Sequence, residues 1–316
     1  MPIPTPLAER IERFRTDLEA LAGDTTGRLG VAVSGGPDSL ALLLLAVAAF
    51  PDRVEAATVD HCLRPESADE AAFVASLCDK LRVPHALLRP ASAISGNLQS
   101  SARRARYALL EQWRQDRSLD WVLTAHHADD QAETLLMRLN RGAGVAGLGG
   151  VRGTYAKVLR PVLGWRRAEL AEIVAATGIE AVADPSNADE KFDRARIRRQ
   201  LGEAGWIDPA ALVRSALALA EADQALDWTA DKLADERITG SGPKLGLDPS
   251  GLPPELRRRL VLRILRRIAP EAAPRGDELS RLLATLEQGG TATLAGVKAV
   301  GGVTWRFEPA PPRKSG

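Results

Sequence analysis

The sequence is poor in cysteine, poor in aromatics and almost without net charge. Its two cysteines, Cys62 and Cys78, are too far apart for a CxxC metal or redox site, and so few thiols suit a cytoplasmic protein. Aromatic residues are 4% of the 316, which argues against a large stacking platform for single-stranded nucleic acid. The formal net charge is +1, so any contact with nucleic acid has to come from local basic patches. The longest apolar stretch, Leu40 to Phe50, is too short to span a bilayer. Glu9, Glu12, Asp17 and Glu19 near the N-terminus rule out a signal peptide there, so no membrane association is expected. No lysine directly follows a glycine, which removes the GxxxxGK[ST] phosphate loop. With 45% hydrophobic and 26% charged residues, the chain is globular, long enough for one large domain or two ordinary ones.

What the chain does have is Ser34-Gly35-Gly36-Pro37-Asp38-Ser39. An apolar run, Leu29 to Val33, precedes it and reads as a buried strand; Leu40 to Phe50 follows and reads as a helix. A glycine-rich turn between strand and helix aims bare N–H groups at an anion. Gly35 and Gly36 let the backbone approach a phosphate, and Pro37 suits the first helical position. An aspartate in place of the lysine suggests phosphate held through a divalent cation, with Asp38 as a ligand. The alternative is an ordinary turn, since Gly, Pro, Asp and Ser dominate turns.

Strands are expected at Val54 to Asp60, His85 to Leu88 and Trp121 to Thr124, with helices at Glu66 to Leu81 and Leu98 to Gln115 between them. Such alternation implies βαβ units in an α/β, doubly wound parallel sheet. Ligands of these sheets lie beyond the carboxyl ends of the strands, so SGGPDS, Asp60 to Arg64 and Ala125 to Asp130 should converge on one crevice. Arg141 to Gly153 is rich in glycine and reads as a mobile loop that could close over the site. Helices are expected at Arg166 to Thr177, Ala210 to Glu236, Glu255 to Ile268 and Asp277 to Gln288, and a strand pair within Thr291 to Phe307. This divides the chain into a catalytic domain, 1–205, and a smaller, mostly helical domain, 206–316.

Asp129, Asp130 and Glu133 open a helix, with Asp129 and Glu133 four apart on one face, a spacing at which two carboxylates share a hard cation. The alternative is a capping box with Asp130 as N-cap and Glu133 reaching back. His126 and His127 are not needed for capping, and a zinc site has no obvious third ligand. Gln99, Arg103 and Arg106 share a helix side, and arginine suits phosphate recognition.

Taken together, SGGPDS, Val59 to Ser67, Gln99 to Tyr107, Thr124 to Thr134, Arg138 to Gly144, Asp184 to Asn187 and Phe192 to Arg199 resemble the bacterial tRNA(Ile)-lysidine synthetases, members of the PP-loop ATP pyrophosphatases. The likeness runs to about residue 205 and weakens beyond about 210. Cys62 stands where the family usually has Gly, and Ala195 where Asn is expected. The resemblance implies that the C2 oxygen of the wobble cytidine, in the CAU anticodon of a minor isoleucine tRNA, attacks the α-phosphate of ATP. The amine of free L-lysine then displaces AMP. It implies ATP bound by Ser34, Gly35, Gly36, Pro37, Asp38, Ser39 and His61. Mg²⁺ would lie on Asp38 with Asp129 or Asp130, Asp38 and Asp130 being the expected pair, with cationic help from Arg103 or Arg106. Asp129 and Glu133 are candidates for the lysine ammonium, with Asp60 and Asp184 still open, and His126 or His127 for a base. Arg194 to Arg199 and the outward arginines Arg257, Arg258, Arg263 and Arg266 are expected to contact tRNA. Whether the protein forms a homodimer stays open. The rivals are another PP-loop RNA-modifying enzyme, such as a thiolase, for which paired cysteines are missing; an ATP-dependent amide ligase; and a silent RNA-binding module.

Overall fold

The computed structural model describes residues 5–23, 27–61, 67–90, 98–182 and 193–311. Cys62 to Arg64 and Asp184 to Asn187 lie outside the described residues, as do the side chains of Gln99 and Ala195. The chain divides into two compact units, 1–220 and 221–316.

The first unit opens with helix α1 (Thr5–Ala22), then alternates β1 (Leu29–Ala32), α2 (Pro37–Ala49), β2 (Val54–Val59), α3 (Ser67–Leu81), β3 (His85–Leu88), α4 (Leu98–Asp116) and β4 (Trp121–Leu123). There follow α5 (Ala128–Asn140), α6 (Val145–Leu148), a hairpin of β5 (Thr154–Tyr155) and β6 (Val158–Leu159), α7 (Arg167–Ala175) and α8 (Asp193–Glu203). The sheet order is β3-β2-β1-β4-β6-β5, parallel except for the edge pair β5–β6. Because α2 is apolar nearly all round, it has to be buried, and Leu40, Leu42, Leu43 and Leu45 are. They share a core with Phe14 and Leu18 of α1, Val74 and Leu77 of α3, and Leu170 and Ile173 of α7. Leu110 and Trp113 of α4 form a separate core with Ala32, Ala57 and Val122 of the strands. The chain leaves β1 toward β2 on one side and β4 on the other, so a ligand crevice belongs at the carboxyl end of β1.

The second unit begins within the long helix α9 (Pro209–Arg237), followed by β7 (Ile238–Ser241), β8 (Lys244–Leu247), α10 (Pro254–Ile268), α11 (Gly276–Glu287), β9 (Thr291–Leu294), β10 (Val297–Val300) and β11 (Trp305–Pro309). The expected strand pair is part of a five-stranded antiparallel sheet, order β7-β8-β11-β10-β9. Its Leu247, Val297, Ala299, Trp305 and Phe307 pack with Leu260, Ile264 and Leu265 of α10 and Leu282 and Leu286 of α11. The β7–β8 hairpin escapes a reading by periodicity because two of its residues, Gly240 and Gly242, have positive φ and contribute no side chain to the alternation.

Two further expectations are corrected. The stretch 142–153 is not structureless: it contains α6, and Gln131 holds its end, donating from Nε2 to Val151 O (2.7 Å) and accepting from Val151 N (2.6 Å). Arg138 adds a bond to Gly150 O at 3.0 Å. The arginines of α10 are mostly not turned to solvent. Arg257 pairs with Glu287 at 2.7 Å, Arg258 donates to Ser280 Oγ at 3.0 Å, and Arg263 pairs with Asp231 at 2.7 Å. Arg259, 6% exposed, meets Asp223 at 2.6 Å and Asp227 at 2.7 Å. Burial requires such a charge to be paired; Arg259 and Arg263 bind the acidic face of α9, and Arg257 and Arg258 reach α11. Arg266 and Arg267 remain exposed.

Candidate functional site

The carboxyl ends of β1, β2 and β4 open onto a cleft of about 640 Å³. Ser34, Gly36, Pro37, Asp38 and Ser39 line it from β1, Asp60 and His61 from β2, and Ala125, His126 and Asp130 from β4 and α5. Gly35 has φ +88°, and its carbonyl accepts from Val182 N at 3.0 Å; a left-handed residue here lets the chain turn into α2. Ser39 Oγ donates to Gly36 O (2.9 Å) and accepts from Ser34 N (3.1 Å), which ties the loop to the helix it opens. Pro37 is the first residue of α2, so the N-terminus faces the cleft with unpaired N–H groups.

Asp38 follows on the first turn. Its Oδ1 is buried and finds no hydrogen-bond partner among the described residues. Its Oδ2 lies 3.4 Å from Nε2 of His127, which is 3.5 Å from Oδ2 of Asp130. The capping box exists but is shifted from the expected one. His127 is the N-cap of α5: its Nδ1 accepts from Asp130 N (3.4 Å) and its own N–H donates to Asp130 Oδ2 (3.2 Å).

The carboxylates Asp129 and Glu133 are each met by arginines. Asp129 accepts from Arg166 Nη2 (3.0 Å) and from Arg167 N (2.7 Å). Glu133 is 1% exposed and accepts from Nε of Arg194 and Nε of Arg198, both at 2.7 Å. Arg194 also reaches Asp130 at 2.9 Å. Burial opposes ionisation of Glu133, but the hydrogen bonds from Arg198 and Arg194 outweigh it and hold the carboxyl below its ordinary range. Asp129 follows the same pattern, with Arg166 and the Arg167 backbone as donors. Asp60 is held by Arg89 (3.1 Å) and Ser67 (2.8 Å).

Arg106 lines the cleft, whereas Arg103 is exposed and stacks over Tyr107, 5.1 Å from the ring centre. His126 lines it too, with Nδ1 3.2 Å from Thr124 Oγ1. Burial, then the charges of Arg160, Arg106, Arg103 and Arg194, push its pKa down to about 3. Burial also lowers His61, helped by Arg106 and opposed by Asp60. Both rings are therefore neutral at physiological pH. Glu70 and Arg167, which no sequence motif singles out, also line the cleft, as do Arg194 and Arg198, expected from the sequence as tRNA contacts. Their i, i+4 spacing on one helix face was the available signal.

The model of the PP-loop domain family matches residues 5–204. Among curated proteins, the tRNA(Ile)-lysidine synthase of Zymomonas mobilis is 46% identical over 93% of this chain and 92% of its own length. That of Novosphingobium aromaticivorans is 46% identical over 98% and 96%. Among solved structures, a U34-tRNA thiolase from Methanococcus maripaludis superposes with a TM-score of 0.58 at 16% identity, over 68% of this chain and 78% of that one; at that identity the likeness is one of fold. No described helix is long and apolar enough to cross a membrane.

Proposed function

This chain belongs to the tRNA(Ile)-lysidine synthase family of PP-loop proteins, and we propose that it ligates free lysine to C2 of the wobble cytidine in the CAU anticodon of minor tRNA(Ile), at the expense of ATP. In the first step the C2 oxygen of the base attacks the α-phosphorus of ATP and pyrophosphate leaves. In the second the lysine amine attacks C2, AMP leaves with the oxygen, and the amine loses a proton. The observation that carries this reading is the convergence in one cleft of an anion-ready helix N-terminus with Asp38, Asp130, Arg106, Arg194 and Arg198.

The SGGPDS loop suits pyrophosphate, because its N–H groups and the α2 dipole stabilise negative charge. Arg106, Arg194 and Arg198 suit the charge that develops on the leaving group. The residues also fit a magnesium ion brought in with ATP. Asp38 presents a buried oxygen with no donor among the described residues, Asp130 lines the same cleft, and magnesium commonly uses only one or two carboxylates beside phosphate oxygens. Such an ion supplies charge neutralisation for the departing pyrophosphate. Neutral His126 suits hydrogen bonding to nucleotide or base better than proton abstraction, since an imidazole with a pKa of about 3 is a weak base, and burial makes His61 a weaker base than a free imidazole.

The test is incubation of the protein with ATP, Mg²⁺, lysine and minor tRNA(Ile), followed by mass analysis of the wobble nucleoside. A cytidine gaining the mass of lysine less water is the expected product; an unchanged cytidine would overturn the reading.

A further inference from the structure

Helices α5 and α8 carry more than the cleft. Their facing sides are divided by the ion-paired seam of Glu133 with Arg194 and Arg198. On the far side lies a second pocket of about 430 Å³, lined by Leu136, Met137, Asn140, Ile197, Leu201 and Trp206. Trp206 is 86% exposed, in contrast to the buried Trp113, Trp165 and Trp305. Leaving a large ring open to water beside an apolar hollow costs solvation, which marks a contact surface. Arg141 and Arg196 also line the pocket and are exposed.

We propose that this second pocket receives an unstacked base of the RNA substrate, a different nucleotide from the one in the catalytic cleft, with Trp206 as its stacking partner. The inference rests on the RNA-modifying reading above and adds a binding site to it. The chemistry matches: single-stranded loops are bound by splaying bases onto aromatic faces, with arginine at the phosphates. A pocket of this volume lies in the range that encloses a small organic group. Its position matches as well. Met137 is seven residues beyond Asp130 on α5, about 10 Å at the helical rise, so one short strand can reach both sites. Positive charge at the rim favours an anionic nucleotide over an apolar peptide.

The experiment uses the full chain and an anticodon stem-loop carrying 2-aminopurine at one loop position at a time. Wild type should quench one position other than the wobble nucleotide. Trp206→Ala should abolish that quenching and weaken binding by roughly 5- to 150-fold, the range for loss of one stacked base, with the loss falling in KM for RNA rather than in kcat. Trp206→Phe, which keeps a π-face, should retain most of the affinity and the quenching. ATP affinity of each variant serves as the control on folding. Lysidine formation by wild type, together with a Trp206→Ala protein that binds RNA as well as wild type, would overturn this inference alone. A wild type that binds no stem-loop would overturn both it and the functional reading. Dimerisation that Trp206→Ala abolishes would assign the pocket to a second copy of the chain and also overturn it.

Discussion

Asp38 and His127 meet on the floor of the cleft, Oδ2 of the first lying 3.4 Å from Nε2 of the second. The contact joins the turn after β1 to the turn after β4. Asp38 Oδ1 is buried and has no hydrogen-bond partner among the described residues.

Asp38→Ala should therefore lower the rate of AMP formation by about a hundred- to a thousandfold, the usual cost of losing one preorganised electrostatic contact. Circular dichroism should report an intact fold, since Asp38 is only partly buried. Turnover near wild type would remove Asp38 from the reaction.

Gly35 and Gly36 should separate fold from ligand. Gly35 has positive φ, and a Cβ there would lie 3.2 Å from Val182 Cγ2. Gly35→Ala should cost about 1–2 kcal/mol and lower Tm by roughly 2–8 °C. Gly36 has φ −73°, and its nearest neighbour would be Ser34 Oγ at 3.8 Å. Gly36→Ala should leave Tm unmoved but weaken ATP binding, because the methyl stands where phosphate approaches backbone. Calorimetry and nucleotide titration on the two variants decide it; unaltered ATP affinity in Gly36→Ala would exclude the loop as the phosphate site.

Glu133 should contribute stability that depends on pH. Its folded pKa is depressed by Arg198 and Arg194 against the opposing effect of burial. As pH falls, the unfolded state takes up the proton first, so the contribution is present at neutral pH and fades as pH drops below the ordinary glutamate value of about 4.3. Glu133→Gln should destabilise by about 1–3 kcal/mol at pH 7, at the low end because both arginines can turn to solvent. Urea unfolding at pH 7 and pH 3.5 should show the gap from wild type closing in acid. A gap of constant size would show that the glutamate acts by shape alone.

On α10 the buried and exposed arginines should behave oppositely. Arg259→Ala removes a buried guanidinium that meets Asp223 at 2.6 Å and Asp227 at 2.7 Å and should destabilise by about 3–5 kcal/mol. Arg266→Ala removes an exposed charge; if it meets RNA phosphate, it should flatten the log–log salt dependence of tRNA binding by roughly one, with stability unchanged. Titrations at several salt concentrations and thermal melts of both variants test this. A salt slope unaltered in Arg266→Ala would mean that this helix does not contact the backbone of the RNA.

The sequence by itself determined the alternation of strands and helices in the first unit, and with it the place of the site. Those signals are local: apolar periodicity, Gly35 and Gly36 at a turn, Pro37 at a helix start. Once the sheet is parallel, the polar turns after β1, β2 and β4 must share one edge. Only the tertiary structure decided which charges remain available. Asp129 and Arg166 are 37 residues apart, and Glu133 and Arg194 are 61. Helical spacing put Asp129 and Glu133 on one face but did not say that α7 and α8 would bring guanidinium groups to each. The same holds for α10, whose arginines read as outward tRNA contacts, whereas α9 supplies Asp223, Asp227 and Asp231 to Arg259 and Arg263. A charge on a helix surface has no meaning until its neighbour is known, because pairing depends on a few ångströms between elements distant in the chain, and burial then makes that pairing obligatory.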